Sequence, residues 1–450
     1  VSEARHAPDL VIRNGLILPM VSDGVSFRGD VTIRGGRITS ITEGPAASSG
    51  DSEVLDATDA AVLPGFIQGH VHVVQSLLRH QADGLELLDW LRLRTWPYEA
   101  ALDGDGVEVA SELGIVELLC GGTTTALDFG TTHSHERVFR AAERLGIRFF
   151  SGKAHMDNGD GVPNALLEDP EHSLADAAEL GRRWHGAADG RLRYAAAPRF
   201  ALSCSSTLLR GCAELARRNG WLLQSHAAEN REEVKQVRAL GGRSNIEFLD
   251  DHGLLGDDVI LAHGIHLDET DVRRLAETRT TICHCPGANL KLGSGIADVP
   301  GLIDSGVAVL LGADGPPCNN RLSVFHEMNL AATIHGLRHG PGALDPWTAL
   351  RMVTRDAAKA LHIGSEIGTL EEGKAGDVVV VELDEWSTLP GGDPASRIVF
   401  GAGPQMVRHA VVAGRPLVID RVLSEVDTAA LRQRVHEAWK ATRRRMEEMP

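Results

Sequence analysis

Cysteine is scarce in this 450-residue chain: six residues, at positions 120, 204, 212, 283, 285 and 318. They are too few and too scattered for a disulfide scaffold, and they suggest reduced thiols in a cytoplasm. Cys283-His-Cys285 looks like a fragment of a metal site, but no CxxC accompanies it. Long apolar runs are missing too: none reaches the ~20 residues of a membrane helix. Positive charge is in deficit. The formal net charge is −17, which disfavours nonspecific binding to nucleic-acid phosphates. The first residues, VSEARHAPDL, lack a basic stretch followed by an apolar one, so no signal peptide is expected there. No GxGxxG follows a strand candidate, which argues against a dinucleotide fold. HExxH and the HxE…PCxxC pattern of cytidine-deaminase-type zinc sites are absent as well.

What remains is ordinary soluble-enzyme material, 43% hydrophobic and 24% charged. Its length suits one large domain and a smaller one. Residues 9–64 alternate short β-rich runs with turns, and Arg34-Gly-Gly-Arg37 is a hairpin signal. Residues 366–424 repeat that style. Both ends are expected to form antiparallel strands that join as one small β-sandwich domain, 1–64 with 366–424. Between them, 65–365 alternates apolar strand-length runs with amphipathic stretches such as SHERVFRAAERLG and DETDVRRLAETR. The strand candidates are 66–73, 121–130, 147–156, 191–200, 221–229, 258–267, 280–289 and 307–315. Eight strands alternating with helices predict an α/β fold, a (β/α)8 TIM-type barrel, with chemistry at the C-terminal strand ends. Residues 425–450 are expected to form a charged terminal helix.

The polar residues at those ends carry the functional reading. His70 and His72 lie two apart at the end of the first strand, so both rings face the same side. The fifth strand ends in Gln224-Ser-His226-Ala-Ala-Glu229, the sixth carries His263, and the eighth ends in Asp314. Burying so many polar groups with unrelated partners is costly. Imidazoles with a carboxylate suit Zn²⁺, with Fe²⁺ or Mn²⁺ as alternatives. His70, His72, His226 and Asp314 are the expected ligands. His263 is either a fifth ligand or a partner of the water. Glu229, close to the metal yet free, could carry a proton in C–N hydrolysis. A second HxH, His133-Ser-His135, follows the second strand and reads as a loop decoy.

PGFIQGHVH (64–72), QSHAAENREE (224–233), LAHGIHLDE (261–269), HCPGANLKLGSGIA (284–297) and LGADGPPCNNRLSVFHEMNLAA (311–332) together resemble the amidohydrolase superfamily. More narrowly, they are similar to its aromatic aminohydrolase branch. That branch includes S-adenosylhomocysteine/methylthioadenosine deaminases, 5′-deoxyadenosine deaminases, guanine deaminases and s-triazine hydrolases. The resemblance implies a mononuclear zinc or iron barrel with His263 beside the hydrolytic water. It implies Asp314 as ligand and proton acceptor, and Glu229 as proton shuttle to a ring nitrogen. WPYEA (96–100) matches a motif whose glutamate, here Glu99, binds ribose hydroxyls in the adenosine-type deaminases. Gln75 and Arg199 match purine-recognising residues of guanine deaminase. Lys153 takes the place of an arginine that contacts the substrate tail, and His284 is a further substrate-contact candidate. Ala288 departs from the serine common in that motif. These likenesses point to hydrolytic deamination of an adenosine derivative, with guanine or an s-triazine of the melamine type as the alternative. They imply a small-molecule substrate, no nucleic-acid or membrane partner, a cytoplasmic location and a homo-oligomer.

Overall fold

The computed structural model describes residues 9–44, 52–241 and 243–449. The opening VSEARHAP, part of the stretch read above for a signal peptide, lies outside the described residues. By contact density the described chain divides into two units. One draws on Val1–Gln68, Val116–Thr125 and Ser323–Val426, the other on Gly69–Ile115, Ala126–Leu322 and Asp427–Pro450. Residues 323–365, expected with the barrel, thus group with the strands of the chain ends.

Those strands form one continuous nine-stranded sheet. Its path runs from Val422–Leu423 through Arg415–Ile419, Val407–Val412 and Val378–Glu382 to Ala60–Pro64. It continues through Leu10–Ile17 and Phe27–Arg34 to Arg37–Glu43. Val378–Glu382 pairs antiparallel with Ala60–Pro64 and so joins the two chain ends. The Gly35-Gly36 turn follows from its residues. Both glycines have positive φ (54° and 79°), as a two-residue hairpin of the favoured hand requires, and Arg34 pairs with Arg37 across it. Not every pairing is antiparallel, as the sequence reading had it. Glu53–Asp56 and Ala60–Pro64 both run parallel to Leu10–Ile17. The alternating apolar residues Leu10, Ile12, Val31, Ile33, Val378 and Val380 gather in one buried cluster, as a sheet buried on one face dictates.

The second sheet follows chain order without a crossover. The strands along its path are β1 (Phe66–Val71), β2 (Thr123–Asp128), β3 (Arg148–Ser151) and β4 (Leu192–Pro198), then β5 (Leu222–Ala227), β6 (Val259–His263), β7 (Thr281–His284) and β8 (Val309–Leu311), with a ninth, two-residue strand, Ala154–His155, paired to Leu192–Pro198 off that path. Each falls inside one of the eight expected runs. A parallel bridge between Val71 and Asp314, with the Asp314 N–H donating to the His70 carbonyl at 3.0 Å, brings the last strand back to the first. The result is a nearly closed (β/α)8 barrel. Buried on both faces, its strands read as near-continuous apolar runs rather than alternations.

Close backbone approach in the barrel wall is bought with glycine. A Cβ at Gly152 would sit 1.8 Å from the Ala195 carbonyl oxygen, and one at Gly130 (φ 75°) would sit 2.2 Å from the Gly152 carbonyl oxygen. Neither contact can be relieved by turning a side chain. Gly152→Ala is expected to destabilise the protein by roughly 1–3 kcal/mol, measured as a lower denaturant midpoint at unchanged m-value; an unchanged midpoint would show that the wall yields freely. Among the described residues no helix is long and apolar enough to cross a membrane.

Candidate metal centre and substrate cavity

Chain geometry at the strand ends aims the polar side chains inward. His70 occupies the penultimate position of β1. His72 follows the strand (φ −128°, ψ 80°) before a 3-10 turn, Val73–Leu78, begins. His226 lies near the end of β5 and His263 closes β6. His263 (φ 75°) and Asp314 (φ 61°) both hold left-handed backbone, a conformation that costs non-glycine residues energy and concentrates at functional sites.

One donor atom from each of His70, His72, His226 and Asp314 lies within 4.8 Å of the others. Asp314 Oδ1 is 3.4 Å from His72 Nε2 and 3.5 Å from His70 Nε2. His72 Nε2 and His226 Nε2 are 3.2 Å apart. The His226 tautomer is fixed by its surroundings. Nδ1 is 2.6 Å from the Arg199 carbonyl, which can only accept, so Nδ1 carries the proton and Nε2 presents a lone pair. His70 Nε2 is buried without a hydrogen-bond partner. Three imidazoles and one carboxylate gathered in a buried space are a donor set that a divalent transition metal fits. The carbonyl behind His226 is the orienting partner that ligating histidines require.

Glu229 stands beside this group. Left-handed backbone at Ala228 (φ 50°) turns the chain after β5. The Glu229 N–H then donates to Glu233 Oε2 at 2.8 Å, and Asn230 N–H to the same oxygen at 3.3 Å. Glu233 Oε1 in turn accepts from Asn245 Nδ2 at 2.8 Å. Glu229 Oε1 accepts from Ser294 Oγ at 3.4 Å, and Oε2 lies 3.3 Å from His263 Nε2. Burial, then the Asp314 and Glu233 charges, push the Glu229 carboxyl well above the usual carboxylate range. It therefore retains a proton at a pH where an exposed glutamate has lost it. His263 Nδ1 meets Asn289 Oδ1 at 2.8 Å, which points Nε2 between Glu229 and Asp314, 3.9 Å from Asp314 Oδ2.

A cavity opens over the group. Leu87, Trp90, Leu91, Phe200 and Leu292 form its apolar wall. Its polar lining includes His72, Gln75, Arg199, Glu229 and Asp314. Few convergent polar groups on an apolar wall are the usual makeup of a small-molecule site.

The remaining sequence candidates fall elsewhere. Glu99 is 3% exposed and faces Arg199 and Gln75. Lys153 is ion-paired to Glu168, with Asp176 at 3.7 Å, and is not among the cavity-lining side chains. His284 ends β7, buried, and is not among them either. His133 meets the Glu99 carbonyl and His135 the Ser151 hydroxyl, so neither joins the metal group. Cys285 donates to the Cys283 carbonyl, outside that group. Asn289, Glu233 and Ser294 were passed over by the sequence reading. Asn289 and Ser294 lay inside HCPGANLKLGSGIA, where attention went to Ala288, and Glu233 was one of three acids in ENREE.

Residues 61–417 match the model of the amidohydrolase family. The chain belongs to that family. Among curated relatives of this amidohydrolase, one from Syntrophobacter fumaroxidans named 5-methylthioadenosine/S-adenosylhomocysteine deaminase is 36% identical, covering 95% of this chain and 97% of the relative. A 5′-deoxyadenosine deaminase from Methanosarcina mazei is 34% identical, covering 96% and 97%. Among solved structures, an adenosine deaminase from Xanthomonas campestris with bound zinc superposes with a TM-score of 0.90 at 29% identity, covering 97% of this chain and 99% of that one. This amidohydrolase is accordingly a hydrolase acting on C–N bonds.

Proposed function

We propose that the protein is a metal-dependent aminohydrolase that deaminates an adenosine derivative such as 5′-deoxyadenosine, methylthioadenosine or S-adenosylhomocysteine. The names of the relatives support the substrate class. The observation that carries the chemistry is Glu229: a buried carboxyl, biased toward its protonated form, beside His263 and Asp314 at a cavity's polar end. His70, His72, His226 and Asp314 hold the cation, taken as zinc with iron as the alternative. When bound, that cation lowers the pKa of a water toward ~7, so that a nucleophile is available at neutral pH.

The chain's own residues do the rest. The apolar wall admits a flat heterocycle and excludes bulk water from the reacting carbon. His263 and Asp314 receive the proton that the attacking water loses. Glu229 gives its proton to the ring nitrogen adjacent to the amine-bearing carbon as the C–O bond forms and the C=N bond is reduced to a single bond. Glu229, now a carboxylate, takes a proton from the oxygen. A proton reaches the amine, the C–N bond breaks, and ammonia leaves the oxo product. Each well-placed proton transfer contributes about 10²–10⁴ in rate.

Deamination of guanine or an s-triazine is the second reading, supported by Gln75 and Arg199 on the cavity wall. Ammonia release from a panel of adenosine, 5′-deoxyadenosine, methylthioadenosine, S-adenosylhomocysteine, guanine and melamine separates the two. An adenosine-type compound is expected to give the highest kcat/KM; turnover confined to guanine or melamine would transfer the assignment to the second reading.

A further inference from the structure

The peptide unit between Ala228 and Glu229 is pinned at both ends. Its oxygen, the Ala228 carbonyl, accepts from the N–H groups of Ile265 and His266 at 3.0 Å each. Its N–H, that of Glu229, donates to Glu233 Oε2 at 2.8 Å. The turn needs such restraint, because Ala228 holds left-handed backbone (φ 50°), which an alanine keeps only where its surroundings impose it. The Glu229 side chain does little to fix itself. Its contacts to Ser294 and His263 are 3.4 and 3.3 Å long, at the weak end of hydrogen-bond geometry.

We infer that Glu233 is the positioning residue of the proton shuttle: its carboxylate fixes the peptide plane from which the Glu229 side chain is aimed at His263 and the cavity. Glu233 is the third residue of the helix Arg231–Gly241. A glutamate there ordinarily reaches back to the N–H of the residue that opens the helix. That bond is present, from Asn230 N–H, but at 3.3 Å it is the longer one; the shorter goes one residue further back, to Glu229. Helix capping does not call for burial either, yet Glu233 is 0% exposed. Its hydrogen-bond partners are neutral amides: the two backbone N–H groups on Oε2, and Asn245 Nδ2 on Oε1 at 2.8 Å. A buried carboxylate held by neutral donors is costly, and capping, which a solvated glutamate performs as well, does not account for it. Asn245 opens the next helix, Asn245–Asp251, and is itself buried, so the backbone of Glu229 is braced against a second helix.

The kinetic half of this inference rests on the proposed deaminase activity; a second readout stands apart from it. Zinc-loaded wild type, Glu233→Ala, Glu233→Gln and Asn245→Ala are compared in ammonia release from the best compound of the panel, in metal content, and in hydrogen exchange at the amides of residues 229 and 230. Glu233→Ala is expected to lower kcat by about 10²-fold, the scale of a ~1 Å misplacement. KM should change by less than about threefold, as for an interaction that matters in the transition state, and metal content should stay at the wild-type level. Glu233→Gln keeps an acceptor for both N–H groups, and Asn245 Oδ1, buried without a partner, can turn to accept from the new amide. It is expected to recover about tenfold or more of the lost kcat, although it carries no charge. Equal losses in the two variants would assign the effect to charge and overturn the positioning role. So would an unchanged kcat in Glu233→Ala, a loss confined to KM, or a loss of metal with the rate. If Glu233→Ala folds poorly, Asn245→Ala removes only the outer brace; it should lower kcat by about three- to tenfold, and no fall there would sink the inference. If wild type releases no ammonia from any compound, the deaminase reading falls and hydrogen exchange decides the placement alone. In the substrate-free protein the amides of residues 229 and 230 should exchange about tenfold or more faster in Glu233→Ala than in wild type or Glu233→Gln, with the barrel strands unchanged; equal protection in all three would show that Glu233 fixes nothing.

Discussion

Glu229→Gln is expected to lower kcat on the best substrate by about 10²–10⁴-fold while leaving bound metal at the wild-type stoichiometry. The amide matches the carboxyl in shape, and its oxygen can still accept from Ser294 Oγ, which now lies 3.4 Å from Glu229 Oε1. The backbone that places residue 229 is held by Glu233 through the N–H groups of residues 229 and 230, not by the side chain. The substitution therefore removes one property, the capacity to give and retake a proton. That capacity is what burial and the neighbouring acids have prepared by raising the carboxyl's pKa. Elemental analysis and single-turnover ammonia release, made on the same preparation, check both halves. An unimpaired rate would remove Glu229 from the mechanism, and loss of metal with the rate would show that its role is structural.

Most of the barrel was legible because its physics is local. A parallel strand buried on both faces needs a run of apolar residues, so each strand announced itself and its polar end residues marked the rim. The Gly35-Gly36 turn was fixed by two residues that tolerate its positive-φ backbone at no steric cost. The four-residue metal group was recoverable for a related reason: each member closes or follows a strand whose position the pattern already gave.

Partners that lie far along the chain were not legible. Lys153 was assigned to a substrate tail by position in a motif, but Glu168, fifteen residues on, claims it. Glu99 and Arg199 meet across a hundred residues, a pairing no local pattern encodes. The parallel pairing of Glu53–Asp56 and Ala60–Pro64 with Leu10–Ile17 was missed because strand runs carry no mark of direction. Residues 73–101, which supply Gln75, Leu87, Trp90 and Leu91 to the cavity, are short 3-10, α and π turns interrupted by an irregular stretch at 79–86. Such pieces are too short to show a helical period, so only the isolated motif residues stood out.

His226→Ala is expected to abolish tight metal binding and to lower turnover by on the order of 10³-fold or more, since a cation that supplies the nucleophile is worth several kcal/mol. The reasoning concerns stability as much as rate. In the folded protein His72 Nε2 and His226 Nε2 stand 3.2 Å apart, and His70 Nε2 is buried without a hydrogen-bond partner. A cation is held by these donors together only in the native state, so it stabilises by mass action. Wild type stripped by a chelator is therefore expected to unfold at a lower temperature and to recover on titration with Zn²⁺. Removing His226 deletes one donor of the set, so the Tm of the variant should lose its response to Zn²⁺. Cys285→Ser serves as the control: its thiol donates to the Cys283 carbonyl outside the group, and metal content should not change. If His226→Ala still bound one equivalent of Zn²⁺ with undiminished affinity, the cation would have to sit elsewhere, and the convergence of these four side chains would need another cause.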